Sequence, residues 1–427
     1  MFKRLGPLVP PVLFAAFPVV SLFEHNQTEL ALGLLWVPLA ISVAAGAALF
    51  VVFVLILKRS AKAGALASLV VVAFFYYGTL YTLVSGWGLS KGLFIALWAA
   101  LFVLGVFAVV RTKLPLNRLA LVLGVFATVQ IFGPAAKIVA YQGNHPDVRL
   151  TDARLWSNPL PKPTPPAGAR LPDIYVLIPD DYERSDVLKR YFHYDNSGFL
   201  RQLKKRGFVV SDQARSPYSD SESNIAAELN MDYLSGLPRI LGEKSQDVRP
   251  IKTLIQDNRA ARLLKPLGYR YVHLDTDEVT FASGNPHISP TATPDSFTNL
   301  WLQNTVLRSI GGTLGFNAAA GNERFRKAIR STFSDLAAVP KDAGPKFVLF
   351  HTLLPHDPYI YGAQGQPVTF PDKSEDALGS KLGMKYFVRQ SQFVETKLLE
   401  AADAILARSK APPVIVIQSD EGFSANP

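Results

Sequence analysis

The sequence predicts two parts: an N-terminal α-helical transmembrane bundle of about five spans, and a C-terminal α/β domain with a mainly parallel sheet covered by helices. Nearly all of the apolar excess of the 427-residue chain lies before about residue 140. After residue 173, short apolar runs typical of buried strands alternate with amphipathic helices. Basic residues cluster in alternate loops between the early apolar runs, which is typical of a multi-pass membrane protein.

Five apolar runs are each near or above the ~18–20 residues that a helix needs to cross ~30 Å of hydrocarbon. The runs are Pro7–Phe23, Leu30–Leu57, Ala65–Leu89, Leu93–Val110 and Leu119–Ala140. Prolines interrupt the first run, which packing against neighbouring helices can tolerate. A soluble helical bundle would need polar faces, and these runs have none. The lipid bilayer is therefore an expected partner.

The charges in the connecting loops predict the orientation. Basic residues occur before the first span and after the second and fourth: Lys3, Arg4, Lys58, Arg59, Lys62, Arg111, Lys113 and Arg118. This pattern places the N-terminus in the cytoplasm and, after five crossings, everything beyond residue 140 outside. Because topology accounts for many of the basic residues, the net charge of +10 does not indicate a nucleic acid partner. Spans with essentially no charged residues also argue against a transporter.

The predicted domains are a transmembrane region over residues 1–145, a Pro-rich linker over 146–172 and an α/β domain over 173–427. Six prolines between Ser157 and Pro172 predict a stiff, extended spacer. Strands are predicted at Ile174–Ile178, Phe208–Val210, Tyr269–Leu274, Lys346–Leu353 and Val414–Ile417, and long helices at Ser185–Arg206 and Lys385–Arg408. In a parallel sheet, ligands bind beyond the carboxyl ends of the strands. The chain has no cysteine, so thiolate metal sites and disulfides are excluded.

Two of these strand ends carry a pair of acidic residues. Asp180 and Asp181 follow the first strand, and Asp420 and Glu421 follow the last. Each pair alone could be an exposed acidic turn, but carboxylates buried at a strand end need a cation to neutralise them. Two pairs at one sheet edge predict a single divalent cation. Oxygen ligands alone favour Ca²⁺, Mg²⁺ or Mn²⁺ over Zn²⁺.

A histidine pair and a serine complete the candidate site. His351 and His356 lie five residues apart at another strand end, where an imidazole facing the cleft could bind an anionic ester oxygen. Ser221 lies at the start of an apparent helix, where a serine is commonly an N-cap. A helix N-terminus also suits a phosphate or sulfate group, and a nearby divalent cation could activate the hydroxyl.

These four elements, in this order, resemble the alkaline phosphatase superfamily, and most closely its sulfatases and lipoteichoic acid synthases. The resemblance covers Asp173 to the C-terminus and rests on DIYVLIPDDYE, SPYSDSESNIAAELNMDYL, HTLLPHDPYIY and VIVIQSDEG. The roles that the resemblance implies are metal ligation by Asp180, Asp181, Asp420 and Glu421, nucleophilic attack by Ser221, and an ester contact by His356.

The resemblance implies a membrane-anchored, exported, metal-dependent hydrolase or transferase of phosphate or sulfate esters. It would reside in the bacterial inner (cytoplasmic) membrane, with its C-terminal domain periplasmic or extracellular and a lipid- or glycan-linked substrate. Phosphoglycerol or phosphoethanolamine transfer is one such activity.

The sequence also departs from the family pattern. Glu421 stands where His or Asn is commoner, and no Cys/Ser-x-Pro-x-Arg motif supports formylglycine chemistry. The chain ends at Pro427, where relatives continue, so a shortened or truncated domain is expected. The alternative function is a catalytically inactive domain that serves as a membrane-tethered binding module.

Overall fold

The computed structural model describes residues 6–145, 155–156, 158–164, 168, 170–276, 296–307, 318–371 and 379–423. The chain divides into two compact units. The membrane unit comprises Met1–Val148 and Pro294–Ala320, and the sheet unit comprises Arg149–Thr293 and Gly321–Pro427. The membrane unit therefore includes a segment from the middle of the predicted α/β domain.

The first helices of the membrane unit are α1 Val9–His25, α2 Trp36–Leu57, α3 Ser60–Phe75, α4 Tyr77–Ser85, α5 Lys91–Arg111 and α6 Asn117–Asn144. Four stretches are long and apolar enough to cross a membrane: Gly6–His25, Leu32–Leu57, Lys91–Arg111 and Asn117–Asn144. They indicate a membrane protein and confirm four of the five predicted spans. The third predicted span is a pair of helices, α3 and α4, bent by 51° at Tyr76. Together they are long and apolar enough to form one broken span or a re-entrant loop.

Helix α1 lies at the centre of the bundle and packs against α2, α3 and α6. Half of the residues in its most apolar stretch are buried inside the protein, against 6% of those in Lys91–Arg111. Pro10 and Pro11 are buried in its first turn, where their missing N–H groups break no helical hydrogen bond. Pro18 lies inside the helix and is half-buried, so neighbouring helices cover part of the break that it causes. Lys62 Nζ donates to the carbonyl oxygen of Val110 at 2.7 Å. This bond brings the basic loops after the second and fourth spans to the same end of the bundle.

The strands of the sheet unit are β1 Ile174–Asp180, β2 Arg270–Asp275, β3 Lys346–Pro355 and β4 Val414–Ile417. Its helices are α7 Ser185–Tyr191, α8 Ser197–Lys205, α9 Ser221–Asn230, α10 Leu237–Leu241, α11 Arg249–Gln256, α12 Arg259–Leu264, α14 Ala318–Ala338, whose first three residues are assigned to the membrane unit, and α15 Lys381–Arg408. The strands form a four-stranded sheet in the order β2-β3-β1-β4, and every neighbouring pair is parallel. The predicted parallel sheet with helices is thus confirmed.

The hydrophobic core follows the alternation of side chains along the central strands. Tyr175 and Leu177 of β1 pack with Val348 and Phe350 of β3, and α15 contributes Leu398. All residues of β1 after Ile174 are buried, so this strand is covered on both faces of the sheet. The buried strands bring their carboxyl ends to one edge, where the acidic residues lie.

The predicted strand at Phe208–Val210 is wrong. The segment follows Gly207, whose φ of 89° ends α8, and it pairs with none of the four strands of the described sheet. Val209 is 98% exposed, while Phe208 and Val210 pack against the edge of the core. A cavity of about 1090 Å³, lined both by this segment and by β4, lies alongside the edge of the sheet. Apolar residues in an extended run therefore did not suffice to predict a paired strand.

Two further predictions differ in detail from the structure. The helix predicted at Ser185–Arg206 is divided into α7 and α8, with His193 in the left-handed region between them at a φ of 51°. The Pro-rich linker is not a spacer over its whole length, because Trp156 is buried against the guanidinium of Arg259, 5.2 Å from its ring centroid. Arg259 also donates to the carbonyl oxygen of Asn158 at 2.7 Å.

Helix α13 (Ser296–Asn304) belongs to the membrane unit. Its Trp301 stacks on Phe75 at the end of α3, with ring centroids 6.3 Å apart. A Cβ atom at Gly78 would lie 2.5 Å from the Cα atom of Asn304, so glycine is needed for this close approach. The helix therefore packs at the bend between α3 and α4.

The contrast between Val348 and Val209 gives a matched stability test. We expect Val348→Ala to destabilise the sheet unit by about 2 kcal/mol, because a fully buried side chain loses its contacts and leaves a cavity. Val209→Ala should change stability by less than about 0.5 kcal/mol, because its side chain is exposed. Melting of the full chain in detergent measures both. Equal destabilisation by the two variants would contradict the placement of Phe208–Val210 outside the sheet.

Candidate metal centre

The carboxylates predicted from distant stretches meet at the carboxyl edge of the sheet. Strand β1 lies between β3 and β4, so its end adjoins theirs. Asp180, Asp181 and Asp420 are each at least 96% buried. The backbone N–H of Asp181 donates to Asp420 Oδ1 at 3.3 Å, which joins the two acidic pairs directly.

The turn after β1 is built to hold these side chains inward. Asp181 adopts the left-handed conformation, with a φ of 60°, which is uncommon for a residue other than glycine. The backbone N–H of Tyr182 donates to Ser419 Oγ at 2.8 Å. Ser419 Oγ also lies 2.7 Å from the carbonyl oxygen of Glu421. The Ser419 hydroxyl therefore links the turn after β1 to the turn after β4.

His351 lies inside the site rather than at its mouth. Its side chain is fully buried, and Nδ1 lies 3.0 Å from Asp275 Oδ1 at the end of β2. Its other nitrogen, Nε2, lies 3.8 Å from Asp180 Oδ2 and 3.8 Å from Asp420 Oδ2. These last two separations exceed hydrogen-bonding distance.

The residues present fit a metal ion. Asp180 Oδ1, Asp420 Oδ2 and His351 Nε2 are buried and have no hydrogen-bond partner among the described residues. Potential ligand atoms of Asp180, His351 and Asp420 all lie within 4.8 Å of one another, and so do those of Asp180, Asp181 and Glu421. Unsatisfied buried polar atoms are costly, and a cation would satisfy several of them at once. The predicted all-oxygen ligand set gains an imidazole nitrogen.

The two innermost carboxylates have opposite pKa shifts. Burial and the neighbouring charge of Asp420 raise the pKa of Asp180 far above its usual range. Burial also opposes ionisation of Asp420, but His351 and the N–H of Glu421 outweigh it and lower the pKa of Asp420. Two carboxyl groups held this close cannot both ionise easily without a cation, because their negative charges repel. The apo site therefore favours one proton on the pair.

Ser221 meets the second acidic pair. The N-cap of α9 is Asp220, whose Oδ1 accepts from the N–H of Ser223 at 2.8 Å. Ser221 therefore does not cap the helix, and its Oγ donates to Glu421 Oε1 at 3.1 Å. The structure thus brings together the predicted serine and the predicted metal motif.

His356 is the histidine at the rim of the site. Its side chain is 30% exposed, and Nε2 lies 3.9 Å from Asp181 Oδ2. Burial opposes protonation, but the charges of Asp181 and Asp180 outweigh it and raise the pKa of His356, which favours a cationic ring. The buried amide of Gln390 donates to the carbonyl oxygen of His356 at 2.8 Å and fixes this turn.

Sequence reasoning missed Asp275, Ser419 and Gln390. Asp275 ends β2, so examining every strand end for a carboxylate would have found it. Gln390 lies in the middle of α15 and hydrogen-bonds to backbone groups of the β3 turn, which no local pattern indicates. Ser419 stands within the recognised acidic motif, but its role depends on the turn from β1.

Comparison with known proteins does not assign the chain to a family. No family model, no curated protein and no solved structure matches it.

Asp180→Asn tests whether the cluster is built around a cation. In chelator, we expect the variant to melt at a higher temperature than wild type. Burial raises the pKa of Asp180, so at neutral pH folding must protonate a carboxyl that is ionised in the unfolded chain, and the amide avoids this cost. A divalent cation should stabilise wild type, by about 2.7 kcal/mol at 100 times Kd, and should leave the variant nearly unchanged. Asp403→Asn, at an exposed pair with Arg206, is the control. A wild-type protein whose melting no divalent cation changes would remove the metal interpretation.

Proposed function

We propose that this protein is a metal-dependent hydrolase or transferase of phosphate or sulfate esters, anchored in a bacterial cytoplasmic membrane with its sheet unit on the outer side. The proposal extends to membership of the alkaline phosphatase superfamily, among its sulfatase-like enzymes. It is supported by the order of the acidic, serine and histidine motifs along the chain and by a parallel sheet that brings their side chains to one edge.

The observation that carries the proposal is the hydrogen bond from Ser221 Oγ to Glu421 Oε1. A nucleophile needs a base within hydrogen-bond reach, and 3.1 Å meets that requirement. Burial and the charge of Asp420 raise the pKa of Glu421, which makes this carboxylate a better proton acceptor. The serine is also the first residue of α9, where backbone N–H groups favour an anionic ester.

The chemistry assigns one role to each group. Ser221 Oγ attacks phosphorus or sulfur, the bond to the leaving oxygen breaks, and the serine proton passes through Glu421 to that oxygen. Water or an acceptor hydroxyl then attacks the seryl ester and loses its proton to Glu421, which returns it to Ser221. His356 donates a hydrogen bond to an ester oxygen. A cation held by Asp180, Asp420 and His351, with Asp181 as a further ligand, would stabilise negative charge on the ester when bound.

Ser221→Ala tests the nucleophile. We expect it to abolish turnover of an aryl phosphate or aryl sulfate ester, because no other group in the scheme forms the covalent intermediate. Ser219→Ala is the matched control, since Ser219 is exposed two residues away and should keep wild-type activity. Retained turnover in Ser221→Ala would remove Ser221 from the scheme. A wild-type protein that binds a cation but turns over neither ester would favour the binding module over the enzyme.

The absence of cysteine allows a clean test of topology. Lys204→Cys, exposed on α8, should react with a membrane-impermeant maleimide in spheroplasts. Lys113→Cys, exposed in the basic loop between α5 and α6, should react only after the membrane is disrupted. Labelling in the opposite order would place the sheet unit in the cytoplasm and contradict the proposed localisation.

A further inference from the structure

We propose that His351 is a nitrogen ligand of the cation, that Asp275 is the positioning residue for its ring, and that the site selects a first-row transition-metal dication such as Mn²⁺ or Zn²⁺ over Ca²⁺ and Mg²⁺. This inference deepens the proposed function, because it concerns the metal at the same site. It changes the chemistry expected from the sequence, which offered oxygen ligands alone.

The imidazole ring of His351 points toward the two innermost carboxylates. His351 is completely buried, and its Nε2 faces the space between Asp180 Oδ2 and Asp420 Oδ2 at 3.8 Å from each. A protonated Nε2 would bond well to a carboxylate at about 2.7–2.9 Å, and neither distance is that short. Two ligand atoms that are each about 2.0–2.2 Å from one ion can lie up to about 4 Å apart. The spacing therefore suits an ion between the three groups better than direct hydrogen bonds.

The carboxylate of Asp275 lies on the other side of the ring. Asp275 Oδ1 lies 3.0 Å from His351 Nδ1, and the two residues are direct neighbours in the register of β2 and β3. A carboxylate at this position holds the proton on Nδ1 and directs the lone pair of Nε2 away from itself. Metal-bound histidines in proteins commonly have such a carboxylate, which also makes the ring a better ligand.

The types of ligand atom at the site also affect which metal it selects. Ca²⁺ and Mg²⁺ are hard cations that bind oxygen ligands, whereas imidazole suits borderline transition metals. The most buried candidate set contains two carboxylates and one imidazole, and all three side chains are at least 96% buried. A nitrogen ligand in the innermost position should therefore disfavour Ca²⁺ and Mg²⁺ relative to Zn²⁺, and to a smaller degree relative to Mn²⁺.

The experiment loads the purified full chain in detergent with Mn²⁺ after chelation and records electron spin-echo envelope modulation. We expect modulation from a ¹⁴N nucleus of a directly bound imidazole in wild type. His351→Asn should lose it, because asparagine can replace Nδ1 toward Asp275 but has no atom at the position of Nε2. Asp275→Asn should weaken Mn²⁺ binding by about 10–100-fold.

His273→Asn is the matched control. His273 is equally buried, lies on β2 and approaches Asp275 Oδ2 at 3.7 Å, but it belongs to neither candidate ligand set. This variant should keep the ¹⁴N modulation. Melting of each variant in chelator identifies any variant that fails to fold, and His351→Gln provides a second test if His351→Asn does not fold.

Competition titrations complete the test. We expect Zn²⁺ to bind wild type at least about tenfold more tightly than Ca²⁺ or Mg²⁺, Mn²⁺ to bind more tightly than either of them, and both His351 variants to lose most of this preference. Modulation that is absent from wild type, or that persists in the folded His351 variant, would overturn the inference. Tighter binding of Ca²⁺ or Mg²⁺ would overturn it as well, yet Ser221-dependent ester turnover with those ions would leave the proposed function standing. Transition-metal binding through His351 without turnover of any ester would support this inference and contradict the proposed function.

Discussion

The burial of two like-charged carboxylates within 4.8 Å of each other is the constraint on which the rest of the sheet unit depends. Asp180 ends β1, and Asp420 lies in the turn after the adjacent parallel strand β4, so the fold brings them together wherever those strands pair. Three features compensate for the repulsion: the imidazole of His351, the backbone N–H of Asp181 and the backbone N–H of Glu421. Each of these groups belongs to a strand end or a turn, so the electrostatics of the site and the topology of the sheet are inseparable.

A second layer of side chains holds the first in place. Glu395, in the middle of α15, accepts hydrogen bonds from the hydroxyls of Tyr182 and Tyr194 at 2.6 and 2.7 Å. Tyr182 directly follows the acidic pair, so this buried carboxylate fixes the chain immediately after the candidate ligands. Gln390, five residues earlier on the same helix, fixes the turn that carries His356. One long helix, α15, thus positions both the acidic turn after β1 and the turn that carries His356, although it contributes no residue to the candidate ligand sets.

Much of this arrangement could be predicted from the sequence, because buried parallel strands have a strong apolar signature. The apolar run at Val414–Ile417 predicts the observed bounds of β4, and the two acidic pairs that follow strands predict a shared sheet edge. Predictions failed where tertiary context decides. The Phe208–Val210 run has strand-like residues but no partner strand in the described sheet. The span predicted at Ala65–Leu89 is a pair of helices bent by 51°, and the apolar pattern does not indicate that bend. The role of His351 depends on Asp275, 76 residues away in sequence, and a linear pattern carries no signal for that pairing.

Helix α13 shows that the two units are interleaved along the chain. The segment Pro294–Ala320 leaves the sheet unit, joins the membrane unit and is followed by the remainder of the sheet unit. Phe297 is completely buried there, edge-on to Phe23 of α1. Cutting the chain in the Pro-rich stretch would therefore not release a self-sufficient soluble unit. The excised fragment would carry α13 without the membrane-unit side chains that bury its aromatic residues. The exposed apolar surface would favour aggregation or detergent binding.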